Sequence, residues 1–252
     1  MDQLMAILER WADKTEQKLR IGGLVTRSVA HFQGVPHGAV QVAVIACKEK
    51  AGKILPNICL HRRSKFKKTD PDKWDIMGGH LEADERILPD KARPGAPSSW
   101  ENQELISRLF WETAVREANE EVQLKQVAFT FTEQDLRCIG GIGGFETGFD
   151  EFGSTNREIS TCYLAFIPGE LLTLREGVHL GDYLEVKDTV MADGKEMEET
   201  ASELKLVTFD ELLHDYEEDP GEFADGISRV LQRLSREPVL KDELSRLLQS
   251  RM

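Results

Sequence analysis

Apolar and polar positions along the chain follow two periods, which predicts a mixture of helices and strands. Leu4, Ile7, Leu8, Trp11 and Leu19 recur near helical spacing, so residues 2–19 are predicted to form an amphipathic N-terminal helix. Apolar runs bounded by turn residues predict strands at 24–32, 39–47, 54–63, 73–77, 127–132, 136–142, 158–167 and 204–209. Helical patterns return at 99–122, 210–216, 222–236 and 240–248, while 145–156 and 190–203 are predicted to be loops.

The predicted helix at 99–122 ends in an acidic cluster. Glu117, Glu120 and Glu121 share one face of this helix, because residues three and four apart stack on adjacent turns. Such a run is often a solvated helix face. Three crowded anions are also tolerated when a cation lies between them, and glutamate oxygens favour Mg²⁺ or Mn²⁺ over zinc.

A second acidic stretch lies upstream, where an apolar strand is predicted to end in a double glycine. Gly78 and Gly79 allow a sharp turn or the close approach of a ligand to the backbone. Glu82 and Glu85 follow within six residues of Gly79. The two acidic stretches together are a more specific sequence signal than either of them alone.

Together they resemble the Nudix hydrolase signature, G-x5-E-x7-R-E-U-x-E-E-x-G-U, in which U is aliphatic. The matching residues are Gly79, Glu85, Arg116, Glu117, Ala118, Glu120, Glu121 and Leu124. Two positions depart from it: the spacer at 86–115 has 30 residues, 23 more than the seven of the family, and Gln123 replaces a glycine. The resemblance implies an α/β/α sandwich with a mixed central sheet.

The resemblance also suggests how the chain is divided. Residues 1–37 are predicted to form an N-terminal helix and strand extension, 38–236 the Nudix domain with an insertion at about 86–108, and 237–252 a C-terminal helix. The proline-rich start of the insertion is expected to line the substrate pocket or a dimer contact. A homodimer is left open, with the long N-terminal helix as its contact.

The activity implied by the resemblance is Mg²⁺- or Mn²⁺-dependent hydrolysis of a nucleoside diphosphate linked to another moiety. The implied metal ligands are Glu117, Glu120 and Glu121 with the carbonyl of Gly78, and Glu82 supports them nearby. Arg116 is expected to pair with Glu85 or with a carboxylate of the helix, fixing its rotamer.

The remaining site residues are candidates for the general base and for substrate binding. Glu199 and Glu203 are candidates for the base, with Glu158 next, and the alternative for each is an ordinary solvated acid. Arg62 and Arg63 are expected to contact substrate phosphate, because they end a predicted strand just before the glycines. His80, beside Gly79, is assigned to substrate binding with them.

Two other functions are compatible with these motifs. Residues 62–85 also resemble isopentenyl diphosphate isomerases, which use a cysteine just before the G-H step. Gly78, preceded by Met77, occupies that position, so the proton donor is missing. A non-catalytic nucleotide sensor is the third reading, although such modules tend to lose the signature acids that this chain keeps.

Composition narrows the class of partner. The net charge of −13 over 252 residues argues against a nucleic-acid polymer as ligand, and favours a nucleotide-type small molecule steered by local cations. The sequence contains no run of 18 apolar residues, so no membrane span is predicted. The first residues lack the pattern of a secretory signal. Four scattered cysteines without a C-x-x-C pair predict a cytoplasmic, reducing location and no zinc site.

Overall fold

The computed structural model describes residues 4–13, 16–67, 69–82, 103–147, 156–175, 177–192 and 195–249. The strands are β1 (Leu4–Asp13), β2 (Glu16–Thr26), β3 (His37–Lys50), β4 (Lys53–Arg62), β5 (Trp74–Asp75), β6 (Met77–His80), β7 (Val122–Leu124), β8 (Leu136–Ile139), β9 (Phe145–Thr147), β10 (Glu158–Phe166), β11 (Thr173–Leu174), β12 (Leu184–Ala192), β13 (Lys195–Thr200) and β14 (Leu204–Val207). The helices are α1 (Arg27–Gln33), α2 (Gln103–Glu121), α3 (Phe209–Glu218), α4 (Asp225–Arg236) and α5 (Pro238–Gln249).

Strand β3 is the centre of the main sheet. Its first ten residues are all buried, as expected of a central strand with a nearly continuous apolar run. It pairs in parallel with β10 and antiparallel with β4 and β6, and the main path across the sheet is β14-β4-β3-β1-β2. The sheet is therefore mixed, as predicted. Strands β13, β12 and β7 form a second, smaller sheet.

Helices cover both faces of the main sheet. Alternate residues of β3 point to opposite faces, so Val40 and Val42 pack with Phe110 of α2 in one core. Ala43 belongs to a second core on the other face, which includes Leu231 of α4. The predicted α/β/α sandwich is confirmed by these two separate cores.

One acid of the cluster lies on the stripe of α2 that faces the sheet. The buried positions of this helix include Phe110, Ala114 and Ala118, with spacings of three and four residues. Glu117 lies on the same buried stripe, three residues after Ala114. The apolar period that forms the helix therefore also brings one carboxylate against the sheet.

The predicted N-terminal helix is wrong. Residues 4–13 and 16–26 form the antiparallel hairpin β1–β2, and β1 joins the main sheet where Ile7 pairs with His37. The predicted strand at 24–32 is mostly replaced by α1. The local sequence favours a helix, but pairing with the sheet outweighs that preference. A homodimer stays a prediction, but residues 4–13 and 16–26 do not form the helix that was expected to be its contact.

Three further predictions fail in whole or in part, and several are confirmed. Residues 145–147, the start of the predicted loop at 145–156, form β9. Residues 127–132 form no strand, and the predicted acidic loop at 190–203 contains the end of β12 and all of β13. The three C-terminal helices are confirmed within a few residues. The proline-rich segment and the predicted start of the long helix lie outside the described residues. Among the described helices, none has the length and apolar character needed to span a membrane.

Candidate active site

The double glycine of β6 lies directly against two acids of α2. A Cβ atom built on Gly79 would lie 2.6 Å from Oε2 of Glu117 and closer still to Oε1, so a side chain at this position would overlap the carboxylate. The backbone N–H of Gly78 donates a hydrogen bond to Oε2 of Glu121 at 3.2 Å. The two halves of the sequence motif therefore meet in the fold.

Both carboxylates are held in surroundings that disfavour their charge. Burial raises the pKa of Glu117, although the nearby Arg116 guanidinium opposes the change. Burial raises the pKa of Glu121 well above its ordinary value of 4.5, and repulsion from Glu117 adds to the effect. Two like charges share a confined space, and a divalent cation would stabilise such an arrangement.

We expect the neutral variant Glu121→Gln to be more stable than the wild type when EDTA removes divalent ions. Because the folded-state pKa of Glu121 is raised, ionisation of this carboxyl group destabilises the folded protein. The destabilisation is complete at high pH and disappears as the pH falls toward 4.5. A gain of about 1 kcal/mol in the free energy of unfolding is expected near pH 8 in urea denaturation. No gain, or an equal gain near pH 4, would contradict the prediction.

Arg116 ties three of the acids together. Its Nη2 atom lies 2.7 Å from Oε1 of Glu117 and 3.0 Å from Oε1 of Glu82, and its Nη1 atom lies 2.9 Å from Oε2 of Glu120. The Glu120 side chain is 59% exposed, so it lies on the solvent side of the guanidinium. In the described part of the chain, no three of these acids bring ligand atoms within 4.8 Å of one another.

Asp188 of β12 is a site residue that the sequence did not reveal. It is only 4% exposed and lies close enough to Glu121 to raise the pKa of that carboxyl. Lys67 pairs with it, with Nζ 2.6 Å from Oδ1, and the N–H of Ser64 donates to Oδ2 at 3.0 Å. Burial opposes ionisation of Asp188, but Lys67 and Ser64 together lower its pKa. No local motif marks Asp188, because its position depends on the pairing of β12 with β7 and β13.

The two candidates for the general base differ in their surroundings. Glu199 is partly buried on β13, and its Oε2 atom accepts a hydrogen bond of 2.6 Å from the hydroxyl of Ser64. Ser64 also contacts Asp188, so Glu199 adjoins the acidic cluster. Glu203 is exposed, and its backbone carbonyl accepts a hydrogen bond from Arg62.

The candidates for phosphate binding are already engaged with acids. Arg62 pairs with Glu222 at 2.7 Å and with Asp72 at 3.3 Å, and its guanidinium stacks on Trp74. Arg63 Nη1 lies 2.6 Å from Oδ2 of Asp75. A role of either arginine in binding phosphate stays a prediction. Glu85 lies outside the described residues.

His80 turns to the face of the sheet opposite Glu117, because it follows Gly79 in the strand. There it meets the rings of His31 and His37, and its Nε2 atom lies 3.5 Å from Oε1 of Glu158. Burial lowers the pKa of His31 to about 4 and also lowers that of His37. Burial opposes ionisation of Glu158, but the hydrogen bond and charge of His80 outweigh it and bring the pKa of Glu158 to about 2. Substrate binding by His80 and proton transfer by Glu158 stay predictions, since both side chains face away from the acids of α2.

The acids of α2 fit a hard divalent ion. Their donor atoms are all carboxylate oxygens, the donors that Mg²⁺ prefers. Burial disfavours the ionised forms of Glu117 and Glu121, as their raised pKa values indicate, and a divalent cation would offset that cost. No cysteine or histidine ring is part of this donor set, so a zinc ion matches it poorly.

Comparison with known proteins gives similarity in three-dimensional structure alone. No family model and no curated protein matches the sequence. DR0079 from Deinococcus radiodurans is 14% identical over 92% of this chain and 98% of its own, with a TM-score of 0.42. A mutT/nudix family protein from Listeria innocua is 20% identical over 82% and 95%, with a TM-score of 0.40. A C. elegans Ap4A hydrolase is 15% identical over 79% and 95%, with a TM-score of 0.32.

Proposed function

We propose that this chain is a Nudix hydrolase, a Mg²⁺-dependent pyrophosphohydrolase that cleaves a nucleoside diphosphate linked to another moiety. The observation that carries the proposal is the contact of Glu117 and Glu121 with the double glycine of β6. The signature requires these two motif halves to act together, although 30 residues separate Glu85 from Arg116 in the sequence. An ordinary solvated helix face would not bury Glu117 to 7% exposure.

Glu117 and Glu121 would hold the metal, with Glu120, Glu82 and the carbonyl of Gly78 as the further ligands that the resemblance suggests. Mg²⁺ or Mn²⁺ bound there would neutralise phosphate oxygens and lower the pKa of a bound water. Arg116 keeps Glu117 oriented through its 2.7 Å ion pair, and so acts as a positioning residue.

Glu199 is the general base that the geometry favours over Glu203. The hydroxyl of Ser64 holds its carboxylate beside Asp188, whereas Glu203 is exposed. Its role is to accept the proton of the attacking water. Lys67, which pairs with Asp188, adds a positive charge that favours an anionic substrate at this point of an acidic protein. The four free cysteines support a reducing, cytoplasmic setting.

A substrate screen with Mg²⁺ tests the proposal. The panel comprises nucleotide sugars, dinucleoside polyphosphates, ADP-ribose, NADH and damaged nucleoside triphosphates, with products separated by chromatography. We expect at least one compound to be cleaved at a phosphorus anhydride, with the reaction abolished by EDTA and restored by Mg²⁺ or Mn²⁺. Turnover of isopentenyl diphosphate, or tight nucleotide binding without cleavage of any compound, would overturn the proposal.

A further inference from the structure

Three histidine rings meet on the face of the sheet that does not carry α2. His31 comes from α1, His37 from the start of β3 and His80 from the end of β6. Each pair of ring centroids is 5.2 Å apart, so the rings form an equilateral triangle. One nitrogen of each ring lies within 4.8 Å of the nitrogens of the other two. The consecutive elements α1 and β3 and the more distant β6 thus present imidazoles to one point.

Two of these rings have a buried nitrogen without a hydrogen-bond partner among the described residues. His37 is fully buried, and its Nδ1 atom lies 2.8 Å from the carbonyl oxygen of Val35. That contact makes Nδ1 the donor of a neutral ring, which leaves a lone pair on Nε2. The Nε2 atoms of His37 and His31 are both buried without a hydrogen-bond partner among the described residues. An unpaired buried nitrogen costs free energy, and a metal ion would remove that cost.

Glu158 adds a fourth donor beside the rings. Its Oε1 atom lies 3.5 Å from Nε2 of His80 and 4.0 Å from Nε2 of His37. The residue is 8% exposed, and the side chain of Asn156 donates to the same oxygen at 2.8 Å. Its carboxylate is therefore held at the edge of the histidine triangle by a neighbouring side chain.

We propose that His31, His37, His80 and Glu158 bind one Zn²⁺ ion. Three imidazoles and a carboxylate supply the four donors that zinc takes in tetrahedral sites. With metal–nitrogen distances of about 2.1 Å, two ligand nitrogens would lie about 3.4 Å apart. The rings are already near enough for small side-chain movements to close the site. With four protein donors the site is structural, and it joins α1, β3, β6 and β10.

This site is chemically distinct from the acidic cluster on the other face. Imidazole nitrogens suit zinc, copper and nickel, whereas Mg²⁺ prefers oxygen and keeps its water. The predicted absence of a zinc site was based on the cysteines alone, and the histidine triangle replaces that prediction. Zinc binding and hydrolysis can therefore fail independently.

Titration of the metal-stripped full-length chain with Zn²⁺ tests the proposal. We expect one ion per chain, a higher melting temperature with zinc, and no displacement by millimolar Mg²⁺. Zinc X-ray absorption of the wild type should show nitrogen and oxygen ligands without sulfur, and Co²⁺ should give the intense visible bands of a tetrahedral site. Binding weaker than micromolar, or a sulfur ligand, would overturn the proposal.

Variants locate the ion. His31→Gln removes one ligand from α1, near the surface, and is expected to weaken zinc binding by at least about 100-fold. The matched control is His214→Gln, which changes an exposed histidine of α3 with a side chain 69% exposed, and it should bind zinc as the wild type does. Glu121→Gln should also retain zinc. Unchanged binding in a folded His31→Gln variant would contradict the assignment, and the absorption spectra of the wild type decide the matter if that variant does not fold.

Discussion

Glu121→Gln is expected to lower kcat/KM for the Mg²⁺-dependent reaction by at least about 100-fold. The substitution removes one negative charge with little change in volume, at a carboxylate held 3.2 Å from the N–H of Gly78. The variant loses an ionic oxygen for the metal but keeps the packing of α2. Steady-state rates on the best compound of the substrate screen, at saturating and limiting Mg²⁺, measure the effect.

The matched control for this variant is Glu112→Gln on the same helix. Glu112 pairs with Arg108 at 2.9 Å, in an ion pair between residues four apart whose side chains are 36% and 67% exposed. Such pairs contribute only about 0.3–0.5 kcal/mol, so activity should stay within about twofold of the wild type. Equal activity of Glu121→Gln and the control, with intact circular dichroism, would remove the acidic cluster from the mechanism.

Gly79→Ala is expected to reduce both stability and activity, because the new methyl group occupies the space of the Glu117 carboxylate. Displacing a buried charged group from its pairing with Arg116 should cost about 2 kcal/mol of unfolding free energy. The displaced carboxylate would no longer face the site, so kcat/KM should fall by about 10-fold or more. Urea denaturation and steady-state kinetics measure the two effects separately.

Two further variants show whether this contact is the cause. Gly169→Ala is the matched control, because a Cβ there would meet Oγ1 of Thr173 at 3.6 Å and Sγ of Cys47 at 3.7 Å, which are ordinary contacts. It should change stability by no more than about 0.5 kcal/mol. Adding Glu117→Asp to Gly79→Ala shortens the acid and should restore part of the stability but not the activity. A Gly79→Ala variant as stable and active as the control would contradict the proposed fit.

The features predicted correctly are those that local sequence determines. The helix that carries the acids follows from its apolar period, and helical spacing places Glu117, Glu120 and Glu121 on adjacent turns. The central strand β3 was predicted because its apolar run is long and nearly continuous. The predicted sandwich followed from the resemblance, and the same local signals support it.

The features that were missed depend on pairings between distant segments. The helical spacing at 4–11 is real, but those residues form β1 because the sheet offers an edge at His37. Asp188 reaches the site only through β12, whose last three residues fall in the predicted loop at 190–203. The histidine triangle joins residues 31, 37 and 80 across three elements, and no spacing rule connects them. The sequence signal it leaves is a histidine placed just before a long apolar run.

The alternation of side chains along β6 has a consequence for how this protein can vary. Gly79 faces the carboxylates of α2 and His80 faces the imidazoles, so adjacent residues serve opposite sides of the sheet. Inserting or deleting one residue in the short stretch before Met77 would exchange the two sides and set an imidazole against Glu117. Natural relatives should therefore tolerate substitutions here far more readily than changes of length, and a survey of such lengths would show that constraint directly.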